Sequence, residues 1–119
     1  MRISVASEQI ASAILVLRGH RVLLDAELAA LYGVTTKRLN EQVKRNAARF
    51  PADFIFRLTP TETVALNRSQ NATGSQKHRD PRFAPYAFTE HGAIMVATIL
   101  SSPRAIEINV ATAVMLRST

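Results

Sequence analysis

Apolar and polar positions change rhythm several times along the chain, and each change marks the edge of an element. Residues 8–13 have the spacing of a short helix. "ILVL" and "RVLL" then read as two β-compatible apolar runs, and "RGH" between them, with Gly19 free to take positive φ, predicts a hairpin. "AELAALY" returns to helical spacing, with Asp25 placed as N-cap and Gly33 as stop. Thr35 is placed to cap a second helix, which runs to about Ala47 before "RFP" pushes the backbone out of helical space. "DFIFRL" alternates as a strand, Phe54, Phe56 and Leu58 on one face and Ile55 and Arg57 on the other. In "TPTE", Thr59, Pro60 and Glu62 make a capping box that starts a short helix through about Leu66.

Residues 67–85 are polar, aperiodic and broken by glycine and proline, which predicts a long mobile basic loop. "YAF" is a brief strand, and residues 89–116 hold the C-terminal helices. Thr89 caps "EHGAIMVATIL", and Ser102 with Pro103 restarts a last helix on which Ile106, Val110 and Val114 share a stripe. That stripe suits core packing, a homodimer seam, or a mixture of the two. The sum is an α+β fold, a small antiparallel sheet with about five helices including a helix-turn-helix at residues 25–47. With 119 residues the chain suits one domain, residues 1–119, and no apolar run reaches the twenty or so residues of a membrane span. The start, with Glu8 and Gln9 beside a short apolar patch, is a poor signal sequence.

Charge sharpens the picture. A formal charge of +6 attracts polyanions, and its meaning depends on where the bases lie. At about 100° per residue, Leu39, Val43, Ala47 and Phe50 gather on one side of the second helix. Lys37, Glu41, Lys44, Arg45 and Ala48 gather on the other, with Arg38 and Asn40 at the edges. Such a face suits the major groove of double-stranded DNA. Lys37, Lys44 and Arg49 are placed to hold phosphates, Arg38, Asn40 and Arg45 to meet base edges, and Thr36, Glu41 and Asn46 complete the segment. Lys77, Arg79 and Arg82 in the loop suit a flexible arm against phosphates. Each has a plainer counterpart. Glu41 can pair with Lys37 and Arg45 on an ordinary solvated helix, and the loop can be a solvated excursion.

Catalysis finds little support. Glu90 beside His91 has no nucleophile or second carboxylate nearby in sequence, the other acids are scattered, and His20, His78 and His91 lack zinc-site spacing. The chain has no cysteine, which fits a reducing cytoplasm. The expectation is a cytoplasmic protein that is neither an enzyme nor the holder of a cofactor or metal. Phe54 and Phe56 fit packing better than base stacking.

Motifs spread over residues 17–109 carry a resemblance. "LAALYGV" at 28–34, "RLNEQVKRN" at 38–46, "RFPADFIFRL" at 49–58 and "YAFTEHG" at 86–92 resemble the KilA-N-type DNA-binding domain of phage and prophage proteins. The branch is the one named after an ORF-six N-terminal region, related to Bro-N domains. The resemblance implies an N-terminal DNA-binding domain of a phage regulatory or antirepressor-like protein, usually followed by a variable region. The departure is "GSQKHRDPRFAP" at 74–85, where similar proteins often carry a glycine-rich basic stretch. The alternative is a protein-interaction module that occupies a repressor or other regulator without reading DNA.

Overall fold

Leu15–Leu17 (β1) and His20–Leu24 (β2) form the expected hairpin, turning through Arg18 and Gly19 at φ +53° and +79°. Positive φ at both central residues is the two-residue turn whose twist matches the strands it joins. In the computed structural model, residues 5–73 and 81–117 are described. The strands complete one antiparallel sheet in the order β1-β2-β4-β3, where β3 is Ile55–Arg57 and β4 is Tyr86–Phe88. Six helices accompany it among the described residues: α1 (Val5–Ala13), α2 (Asp25–Tyr32), α3 (Thr36–Arg45), α4 (Pro60–Thr73), α5 (Glu90–Leu100) and α6 (Pro103–Arg117). The α+β fold is the one the patterning predicts.

Alternation along the inner strands explains the layering. On β2, Leu23 faces one core while Val22 and Leu24 face another, and on β4 Phe88 and Ala87 divide in the same way. The larger core lies between the sheet and α1, α2, α3, α5 and α6, and holds Leu28, Tyr32, Leu39, Phe88 and Val96. The smaller takes Leu66 of α4 with Leu58, Ala84 and the strands' other face. Burial on both faces is why "RVLL" reads as a continuous apolar run rather than an alternating one.

Several boundaries differ from expectation. Asp25 is not the N-cap of α2. Leu24, still extended, holds that position without a side-chain bond, and Asp25 is the first helical residue. The predicted loop begins too early, because α4 continues to Thr73. Its polar run contains no glycine or proline before Gly74, and serine, asparagine and threonine are only mildly unfavourable in a helix. Phe54 lies just before β3 and packs in the larger core, away from Phe56. Thr89 precedes α5 but makes no side-chain cap; its hydroxyl donates to the Asp53 and Phe54 carbonyls at 2.9 and 3.2 Å. A Cβ at Gly92 would stand 2.0 Å from the Phe54 carbonyl oxygen, so close approach at this point requires glycine.

Candidate nucleic-acid interface

The α2–α3 pair is built to hold α3 still. Gly33, at φ +73°, ends α2 by returning its amide and that of Val34 to the carbonyls of Ala30 and Ala29. The start of α6 satisfies two more carbonyls, Arg104 Nε donating to Leu31 and Ser102 Oγ to Tyr32, both at 3.2 Å. Tyr32 itself is buried, and its hydroxyl donates to the Ala93 carbonyl at 2.9 Å, anchoring α2 on α5. Thr35 caps α3 as expected, its hydroxyl accepting from the Arg38 amide at 3.1 Å. Leu39 and Val43 then bury α3 against the larger core.

α3 ends at Arg45, two residues before the expected limit. The Asn46 amide and side chain both return to the Gln42 carbonyl, and a 3-10 turn at Ala47–Arg49 delivers Phe50 to the core, edge-on to Phe88. Lys44 and Arg45 occupy the last turn, where the helix dipole favours cations.

The surface left outside is basic. Lys37, Arg38, Glu41, Lys44, Arg45 and Arg49 are all exposed, five cations with one acid among them. The ion pairs that the sequence allows for Glu41 do not form: among the described residues no salt bridge within 4.0 Å engages Lys37, Glu41, Lys44 or Arg45. The plainer picture of a face laced by its own charges is absent here.

Three of the expected residues stand apart from that surface. Thr36 and Asn46 are half-buried. Asn40 is also half-buried, and its Nδ2 donates to Asp25 Oδ2 at 3.1 Å while its Oδ1 is buried without a partner among the described residues. Asp25 Oδ1 accepts from the Ala26 amide at 2.7 Å, and Asp25 is 5% exposed. Both hydrogen-bonding ends of the Asn40 amide therefore face inward, and this residue ties α3 to the start of α2. The amphipathic projection had set it at the edge of the outer face.

Beside α3 runs a groove of about 420 Å³ lined by Asn40, Val43, Lys44, Ala47, Phe50, Ile55 and Tyr86. The Arg57 guanidinium sits 5.6 Å from the centre of the ring of Tyr86, one of these lining residues, its Nε donating to the Ala84 carbonyl at 3.1 Å. Arg57 thus adds a cation near the interface, where the strand pattern had set it only on the face opposite Phe54, Phe56 and Leu58. Its place on the same strand face as Ile55 was the available signal; that Ile55 and Tyr86 line a groove beside α3 was not readable from spacing. Of the predicted arm, Lys77 and Arg79 lie outside the described residues, and Arg82 is exposed on a 3-10 turn at Pro81–Phe83, 5.7 Å from the Phe83 ring centre.

Glu90 and His91 have structural partners. The Glu90 carboxylate accepts from Nε and Nη2 of Arg117 at the end of α6, which holds its pKa below the usual carboxylate range. His91 is exposed and stacks on Phe54 with ring centres 5.5 Å apart. Ile106, Val110 and Val114 are 61%, 67% and 55% exposed, so the stripe is not core, and α6 packs inward through Ala105, Ile108, Thr112, Ala113 and Leu116 instead. Among the described residues no helix is long and apolar enough to cross a membrane.

A sequence-family model described as ORF6N domain matches residues 12–99 of the chain. No curated protein and no solved structure matches it.

Proposed function

The chain belongs to the ORF6N domain family, and from that premise we propose that it is a double-stranded DNA-binding domain of a phage or prophage regulator, related to KilA-N-type domains. The carrying observation is the outward face of α3, where four cations and one carboxylate between Lys37 and Arg45 form no internal ion pairs among the described residues. Docked as the second helix of a helix-turn-helix, α3 enters a major groove. Lys37, Lys44 and Arg49 neutralise phosphates, and Arg38 and Arg45 reach base edges with their forked donors. Asn40 serves as a positioning residue. Arg82, with Lys77 and Arg79 of the same basic segment, supplies further phosphate contacts in this reading. The host cytoplasm, with its nucleoid, is the corresponding location, and no catalytic step or cofactor enters this reading.

Selection of bound duplexes from a random pool tests it. Retention with recovery of a shared sequence motif is the expected result, and failure to retain any duplex at moderate salt overturns it. One observation favours a second reading, a protein-interaction module. The exposed stripe Ile106, Val110 and Val114 is an uncovered apolar face of the kind that another regulator would occupy. Capture of a protein partner by folded chain that retains no duplex would select this alternative, in which the module acts on a regulator as an antirepressor does.

A further inference from the structure

Glu41 is the anomaly of the interface. It is exposed at the middle of the basic face, one turn after Lys37 and one turn before Arg45, yet it pairs with neither among the described residues. A carboxylate there cannot hold a phosphate, and facing one it would repel it. It also gives α3 no end-stabilisation, because it sits in mid-helix, beyond the first turn where an acid meets the positive end of the dipole. What a carboxylate can do in a major groove is accept. Only cytosine N4 and adenine N6 present amino donors there, and adenine sets the N7 acceptor beside its amino group, which repels a second acceptor.

Resting on the DNA-binding reading above, we propose that Glu41 is the residue that gives α3 its base preference, by accepting a hydrogen bond from the N4 amino group of a cytosine. Its neighbours complete the logic. Arg38 and Arg45 are both exposed and lie on either side of Glu41 along the helix, and arginine forks suit guanine O6 and N7. The preferred site therefore contains cytosine and guanine at adjacent positions. Repulsion from phosphates lowers affinity for every other sequence, so one side chain both attracts the right base and disfavours the rest.

The test compares Glu41→Gln and Glu41→Ala with the parent chain, in selection from a random duplex pool and in titration against one selected and one random duplex. Glu41 is exposed and forms no ion pair, so both variants keep the parent's circular dichroism and melting profile. For the parent, the recovered motif carries a fixed cytosine. Glu41→Gln moves that position to adenine, because an amide can pair with N6 and N7 together. Glu41→Ala loses the preference there, about tenfold in discrimination, while binding the random duplex about threefold or more tighter because a repulsive charge is gone. A gain on random DNA with a loss of discrimination is a combination that a merely structural role does not produce. Variants that recover the parent's motif unchanged overturn this assignment alone; a parent chain that retains no duplex overturns the DNA-binding reading with it.

Discussion

Arg18 holds a backbone conformation that its own side chain disfavours. At φ +53° it is one of two non-glycine residues with positive φ among those described, a region that costs an ordinary L-residue about 1 kcal/mol or more. Its guanidinium offsets that cost by donating from Nε and Nη2 to Glu62 at 2.9 and 2.7 Å, donating to the Arg57 carbonyl at 3.3 Å, and lying 4.2 Å from the Phe56 ring centre. Glu62 also accepts from the Thr59 amide at 2.8 Å, closing the capping box of α4, so one carboxylate ties the hairpin turn to a helix start. The Arg18 contact, then the Thr59 amide, hold the Glu62 pKa down at about 2. A depressed carboxylate stabilises the fold above its unfolded pKa, and that contribution fades as pH falls from about 4.5 toward 2. Glu62→Gln keeps an oxygen for the Thr59 amide and removes only the charge, so it is expected to lower stability at neutral pH by about 0.2–1 kcal/mol, the scale of a solvent-exposed ion pair. The variant should also flatten the acid limb of a pH-dependent melting series; an unchanged limb would show that Glu62 contributes nothing there. The capping box was legible in "TPTE" because both partners are local. The Arg18 partner lies 44 residues away, and nothing in local spacing announces it.

At the scale of elements, the α2–α3 pair was the most legible part of the chain, since a glycine stop, a threonine cap and Leu39 with Val43 at one-turn spacing all act within a few residues. What the pattern did not reveal is how the two helices are tied. A projection on a wheel places Asn40 by angle, but the buried Asp25 carboxylate across the turn decides where its amide points. Asp25→Ala is therefore expected to cost about 1 kcal/mol by chemical denaturation, since it removes the acceptor of two part-buried hydrogen bonds. DNA affinity should weaken with the salt dependence unchanged, because no phosphate contact is removed. Stability and affinity that both match the parent would show that Asp25 does not fix α3. The length of α4 was hidden for a different reason: polar residues in a helix without an apolar stripe look like a loop. The α6 stripe, conversely, left core packing and a homodimer seam both open, because periodicity marks an apolar face without saying what covers it.

Over the whole molecule, a sheet buried on both faces supports a helix layer from which α3 presents its cations outward. A net charge of +6 makes long-range attraction to a polyanion unavoidable. Attraction of that kind is shared by many basic proteins; a defined phosphate contact at a named lysine is not. The most direct measurement is affinity for a random duplex at several salt concentrations, for the parent chain and for folded Lys44→Ala. The logarithm of the parent's binding constant should fall linearly with the logarithm of salt concentration, and Lys44→Ala should bind all sequences more weakly and lower that slope by about 1. A variant that binds with the parent's affinity and slope would contradict the placement of DNA on the outer face of α3.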